Sequence, residues 1–295
     1  MKVSLPTQNF QKNFLQELCA HFDFLERDVY GKSLCGRPLE AYYLGNRQNA
    51  ALLCGGFHGS EYLTVLALLQ FLEDLCKSVE RKKTLAGFRV DRFLTRRGVC
   101  IVPCVNPDGT EIAISGSSAA DKYKSLIDSI TADTSDWRAN ARGVDINHNF
   151  DAGWDALKQR ELSEGITKPA RTRYGGEHAE SEPESRALAE LFRNGSFRIA
   201  TAFHSQGREI YCDYGANTPR RSFDMAEILS RSSGYKIAAP ESIATGGGFK
   251  DWVIDKYSMP ALTIEIGLGK NPLPLSDFEP EYQRILELLC FCSIL

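Results

Sequence analysis

Residues 50–72 read AALLCGGFHGSEYLTVLALLQFL. The opening AALLC is a continuous apolar run of strand length, stopped by Gly55-Gly56. Ser60 then opens a long helix on which Leu66, Leu69, Leu72 and Leu75 recur at helical spacing. An apolar strand that runs through a glycine turn into an apolar helix is a β–α unit. Open α/β sheets place their chemistry just past the carboxyl ends of such strands, and His58 stands at that point.

The pattern recurs along the chain. Residues 38–44, 99–105, 199–203 and 261–266 read as further strands, and Asn106-Pro107-Asp108-Gly109 after the second of these is a turn signal. A helix starting near Asn9 carries Phe14, Leu15, Leu18 and Phe22 on one face. Ser181 and Glu184 form a capping-box pattern ahead of a stripe of Ala187, Leu188, Leu191 and Phe192, which Gly195 ends. Residues 278–289 read as a last helix, and 115–134 as irregular with one helix near Leu126. No repeat and no Pro/Gly/Ser linker divides the chain. The expectation is one α/β domain over residues 1–295, with a central mixed, largely parallel twisted sheet flanked by helices.

Charge narrows the function classes. Against 38 acidic residues stand 35 basic ones, a formal net charge of −3, so neither nucleic acid nor an anionic membrane is an expected partner. No segment approaches the ~20 apolar residues of a membrane span, and MKVSLPTQNFQKNF at the start lacks the apolar core of a signal peptide. The nine cysteines are odd in number, and Cys54, Cys100, Cys104 and Cys290 lie inside apolar runs. This is the usage of buried thiols in a reducing compartment, so a cytoplasmic location is expected. No Cys-x-x-Cys pair offers a thiolate metal site.

Of five histidines, two follow strand signals directly: His58 after ALLCGGF and His204 after RIATAF. Glu61 lies three residues beyond His58, close enough for an imidazole and a carboxylate to converge at a helix start. Two such ligands underhold a divalent metal; His204 from a distant strand completes two histidines and a glutamate, with a position left for water. Each feature alone has a plain structural explanation, a helix start for His-x-x-Glu and a hydrogen-bonded core residue for a lone histidine. Glu265, inside ALTIEIG, is an acid in an apolar strand. It is costly to bury unless paired or functional, and facing a metal site it would act as a general base.

Together, and in this order, the segments resemble the zinc carboxypeptidase family. They are GGFHGSEYLT (55–64), VNPDG (105–109), WRANARGVDINHNF (137–150), AFHSQG (202–207), TGGGFKDW (245–252) and LTIEIG (262–267), with GKSLCGRPL (31–39) before them. The resemblance implies one zinc ion held by His58, Glu61 and His204, and Glu265 as the catalytic glutamate. It further implies Arg138 as the group that polarises the scissile carbonyl and Asp145 as the carboxylate that orients His58. Asn147 matches the first half of the family's Asn-Arg pair for a substrate carboxylate.

Three positions depart from the digestive members. His148 stands where they carry the clamping arginine, Ser60 where they carry another arginine, and Ile243 near the place of a tyrosine. An imidazole does not replace a bidentate guanidinium. The GVDINHNFDAGW and TGGGFKDWVIDKYSMPALTIEIG segments are most similar to the bacterial γ-D-glutamyl-diaminopimelate (γ-D-glutamyl-L-diamino acid) peptidases. That branch implies a murein stem peptide as substrate, with Arg142 and His148 as candidates for reading its carboxylates. No wall-binding repeat is expected in a chain of this length. Its expected setting is turnover of imported wall peptides or work inside a developing spore. The rivals are a conventional metallocarboxypeptidase, an aspartoacylase-like N-acyl amino acid deacylase and a catalytically dead binding relative. His21 and His178 receive no role, and the sequence does not give the oligomeric state.

Overall fold

The computed structural model describes residues 1–239 and 245–295. In chain order the elements are α1 (Gln8–His21), β1 (Glu26–Lys32), β2 (Pro38–Gly45), β3 (Ala50–Cys54), α2 (Tyr62–Arg81), β4 (Thr84–Leu85), β5 (Phe88–Arg89), α3 (Val90–Phe93) and β6 (Gly98–Val102). They continue as α4 (Pro107–Ser115), α5 (Lys124–Ile130), α6 (Trp154–Ser163), α7 (Pro183–Asn194), β7 (Phe197–Ser205), β8 (Glu209–Tyr211), α8 (Arg220–Ser233), β9 (Lys236–Ile237), α9 (Phe249–Tyr257), β10 (Ala261–Ile266) and α10 (Phe278–Ile294).

Eight strands form one mixed sheet in the order β1-β2-β6-β3-β7-β10-β8-β9. The middle four, β6, β3, β7 and β10, are mutually parallel. Every residue of β3 and β6 is buried, because helices cover both faces, which is why these strands read as unbroken apolar runs. Alternate residues divide between two cores. Ala51, Leu53, Ile101, Phe203 and Ile264 pack with α2, α8 and α10. Leu52, Cys54, Cys100, Val102 and Ala202 pack on the other face, with Leu188 and Phe192 of α7 and Phe249 and Trp252 of α9.

The expected α/β architecture with a mixed, largely parallel sheet is present, and four local expectations change. Asn106-Pro107-Asp108-Gly109 is not a free turn but the start of α4: Asn106 Oδ1 accepts from Gly109 N at 2.9 Å and Pro107 takes the first helical position. Ser60 caps nothing; α2 begins at Tyr62 with Glu61 at its N-cap position. Ser181 forms no capping box, since its hydroxyl donates to Glu182 Oε1 at 2.8 Å and α7 begins at Pro183. The last helix runs on to Ile294.

Edge strand β1 has no fully buried residue and opens on three consecutive charges, Glu26, Arg27 and Asp28, and its pairing with β2 shifts register between Val29 and Gly31. At the opposite edge β9 is two residues long. No helix among the described residues is long and apolar enough to cross a membrane.

Candidate metal and catalytic site

The carboxyl ends of β3, β7 and β10 bring the site together. Past β3 the chain turns through His58 to Glu61, closed by Glu61 N donating to His58 O at 3.1 Å. The turn is pressed against its neighbours. Gly59 N and Ser60 N donate to the carbonyls of Arg138 and Trp137. A β-carbon at Gly59 would lie 2.1 Å from the Gly109 carbonyl oxygen, so only glycine allows this approach. His58 and Glu61 therefore converge because of a turn before the helix, not because of spacing on the helix itself. His204 is the penultimate residue of β7, stacked on Phe57 with ring centroids 5.0 Å apart.

These three side chains are buried, and their ligand atoms all lie within 4.8 Å of one another. His58 Nδ1 is 2.9 Å from Glu61 Oε1 and 3.2 Å from His204 Nδ1. His204 Nδ1 is 3.1 Å from Glu61 Oε2, which also accepts from Ser205 N. Asp145 Oδ1 sits 3.0 Å from His58 Nε2, while its Oδ2 accepts from Arg173 N at 2.8 Å. With Nε2–H donated to Asp145, His58 Nδ1 faces Glu61 Oε1, and a positive charge, either a proton or a metal ion, is needed between two such electron-rich atoms. The Arg138 guanidinium already reaches toward this point, with Nη1 3.0 Å from Glu61 Oε1 and Nη2 2.9 Å from His58 Nδ1. The donor set thus fits one divalent cation, and two imidazoles with a carboxylate suit zinc.

Electrostatics follow the same geometry. Burial and Arg138 press the His58 imidazole down, yet the Glu61 and Asp145 carboxylates outweigh them and raise it to about 9. Burial opposes ionisation of Asp145, but His58 and His148 hold its carboxyl well below the usual range. Burial, and after it the charge of Glu61, pushes the Glu265 carboxyl up. Burial also lowers His204.

A cleft of about 940 Å³ opens over this cluster, with Arg138, Glu265, Asn147 and His148 in its walls. Asn147 Oδ1 accepts from Phe249 N at 3.0 Å, tying the loop to the start of α9. His148 is 7% exposed, and its Nδ1 faces the Arg173 carbonyl at 3.0 Å and Glu161 Oε1 at 3.3 Å. Arg142 is not among the residues lining the cleft. The buried Glu182 carboxylate takes its guanidinium in two parallel bonds, Nη2 to Oε1 at 2.9 Å and Nε to Oε2 at 3.2 Å. Such a bidentate contact is among the stronger hydrogen-bonded pairings an arginine makes. Ile243 lies outside the described residues.

Sequence reasoning passed over other groups. Arg171 and Arg173 line the cleft beside Arg138, whose backbone N–H donates to Arg171 O at 3.0 Å. Lys250 and Asp251 line it at the start of α9, 6% and 3% exposed. Glu161, fully buried beneath His148, accepts from Lys158 Nζ at 2.5 Å and Gly175 N at 3.0 Å. A Lys-Asp dipeptide next to a glycine run was the only available signal for the second of these groups.

Comparison with known proteins agrees with this geometry. A family model described as zinc carboxypeptidase matches residues 12–287. The chain is 33% identical over 278 residues to γ-D-glutamyl-L-diamino acid endopeptidase 1 of Lysinibacillus sphaericus, covering 93% of this chain and 68% of that one. It is 27% identical over 232 residues to murein peptide amidase A of Escherichia coli K12, covering 77% of this chain and 75% of that one. Among solved structures, bovine thrombin-activatable fibrinolysis inhibitor in complex with tick carboxypeptidase inhibitor shares the fold. The TM-score is 0.77 at 20% identity, over 98% of this chain and 96% of that one.

Proposed function

The chain belongs to the zinc carboxypeptidase family and is a zinc metallopeptidase, and from that premise we propose that it hydrolyses an amide bond of peptidoglycan stem peptides, the bond joining γ-D-glutamate to diaminopimelate. His58, Glu61 and His204 would hold the ion, and zinc bound there would supply Lewis acidity for a carbonyl oxygen and for water. Glu265 takes a proton from the attacking water and returns it to the leaving nitrogen. Arg138 donates to the carbonyl oxygen as that oxygen gains charge. Asp145 acts through His58, fixing its tautomer so that Nδ1 presents a lone pair. Asn147 and His148 meet polar groups of the substrate.

One observation carries the choice of bond. After Asn147 comes His148, with Nδ1 turned to the Arg173 carbonyl and Glu161, so this position offers no guanidinium for the terminal carboxylate of an ordinary peptide. The names of the two relatives, a γ-D-glutamyl-L-diamino acid endopeptidase and a murein peptide amidase, support the same class of substrate. We place the reaction in the cytoplasm, on imported wall peptides or inside a developing spore; nine cysteines without a disulfide suit a reducing compartment.

The test is to incubate the zinc-loaded protein, with and without chelator, with L-Ala-γ-D-Glu-diaminopimelate and with blocked peptides that end in a free C-terminal residue. Chelator-sensitive release of diaminopimelate from the first alone is the expected result. Cleavage of the ordinary peptides alone would overturn the substrate and leave the chemistry in place.

A further inference from the structure

Five lysine and arginine side chains line the catalytic cleft, and four of them are committed to acids. Arg138 lies 3.0 Å from Glu61, Arg171 2.7 Å from Asp136 and Arg173 3.3 Å from Glu164, and Lys250 is paired with Asp251. The fifth, Lys270, is exposed and has no hydrogen-bond or ion-pair partner among the described residues. Glu209, an acid in the same cleft, accepts from the Tyr211 hydroxyl at 2.8 Å instead. The root of Lys270 is nevertheless fixed. Its neighbour Asn271 donates from Nδ2 to the Ser205 carbonyl at 2.7 Å and accepts from Ser205 Oγ at 2.8 Å. Gly207 N donates to Gly267 O at 2.9 Å. A tethered loop thus presents one uncommitted ammonium to the cleft, three donors and no acceptor.

The cleft straddles the carboxyl edge of the sheet, and Lys270 stands at the end away from Asn147 and His148. Asn147 is tied to Phe249 at the start of α9, which packs on one face of the sheet. The loop that carries Lys270 runs from β10 to α10 on the other face, through Leu273 and Phe278 of the opposite core. In the functional reading the 147–148 end receives the half of the substrate that leaves as an amine, so the acyl half extends to the Lys270 end. A glutamate linked through its γ-carboxyl keeps its α-carboxylate free, on the acyl side of the bond and a short aliphatic spacer from the carbonyl. A peptide linked through α-carboxyls throughout has no such backbone charge inside the chain.

We propose that Lys270 binds the free α-carboxylate of the γ-D-glutamyl residue, on the acyl side of the bond, with Asn271 as the residue that positions the lysine. This rests on the functional reading above and adds a demand on the acyl half: its α-carboxyl is to be ionised and unmodified. The same peptide with that group as a carboxamide, an isoglutaminyl peptide, keeps its shape and loses its charge. An ammonium can accept nothing from the carboxamide N–H, and it meets a neutral oxygen where a charged one strengthened the bond.

The experiment compares kcat/KM for L-Ala-γ-D-Glu-diaminopimelate and for the isoglutaminyl peptide that differs from it only in the α-carboxamide. The wild type should prefer the first by roughly 5- to 20-fold, between the worth of an exposed ion pair and that of a sheltered charged hydrogen bond. Lys270 is exposed, so K270M removes its charge with little disturbance to the fold, and the ratio should collapse toward one. K270R keeps the charge and should hold most of the preference, whereas K270E should invert it. Asn271→Ala frees the loop and should lower the ratio partway, through KM for the carboxylate peptide. Equal cleavage of the two peptides by the wild type would overturn the role of Lys270 while leaving the functional reading intact. So would a ratio that survives in K270M. Failure of the wild type to cut either γ-glutamyl peptide would sink the functional reading, and this assignment with it.

Discussion

Glu265 and His204 are register partners on the adjacent parallel strands β10 and β7. Partners in register point to the same face, so the acid and the imidazole share one face, on strands about 4.8 Å apart. The distance between base and metal ligand is thereby set by hydrogen-bonded backbone. A one-residue slip of β10 would turn Glu265 into the core occupied by Ile264.

That geometry separates metal binding from proton transfer. Glu265→Gln keeps the shape and touches no ligand atom, so zinc content should stay at one per chain. Turnover should fall by roughly 100- to 10,000-fold, the usual contribution of a general acid–base. Elemental analysis and kcat on one sample check both halves, and unaltered kcat would remove Glu265 from the mechanism.

Asp145 joins His58 Nε2 to the Arg173 backbone. Asp145→Asn loses the charge that fixes the imidazole tautomer, and zinc affinity should weaken by roughly 10- to 100-fold. Competition with a chromogenic chelator measures it. An unaltered affinity would show that the 137–138 contacts alone hold the ring.

Metal removal should also be felt by the fold, since ligands come from three separate stretches of chain. At free zinc one hundred times its dissociation constant, binding to the native state adds about 2.7 kcal/mol. Chelation should therefore lower the melting temperature by several degrees, and one equivalent of zinc should restore it. Identical melting curves with and without chelator would argue against a site formed by the native fold.

A pH effect is expected away from the cleft. Burial, and after it the charge of Asp108, pushes the Glu184 carboxyl up to about 8. In the unfolded chain the group titrates near 4.3, so in the window between, the native state keeps a proton that the unfolded chain has released. Stability should fall as pH rises through that window, by about 1.4 kcal/mol per unit at most, and level off above about 8. Glu184→Gln is neutral throughout and should flatten the slope. Denaturation midpoints between about pH 5 and pH 8.5 read it, and an equal slope in the variant would rule out Glu184 as its source.

The parts of the molecule legible in the sequence are those where burial writes a pattern. Ala50–Cys54 and Ala261–Ile266 are apolar because both sheet faces are covered, and that continuity exposes His58, His204 and Glu265 as exceptions. Where structure rests on loops the pattern is lost. Asn106-Pro107-Asp108-Gly109 reads as a turn because a helix N-terminus uses the same residues. Lys250, Asp251 and Arg173 come to the cleft, and Glu161 to its place beneath His148, through contacts at long separation, which no local spacing encodes. Arg142 misled because a surface-like arginine gives no sign of the buried Glu182 that claims it.

The two rims of the sheet have a consequence for handling this protein. A long flat rim with unpaired backbone groups invites a second chain to add itself as another strand. Here one rim carries Glu26, Arg27, Asp28 and Lys32 with a bulge in its pairing, and the other is two residues long. The first is guarded by its charges and its break in register and the second by its shortness, so concentrated solutions of the folded enzyme should resist fibrillar association. Any aggregation on heating should instead begin from opened chains that expose the apolar β3 and β6.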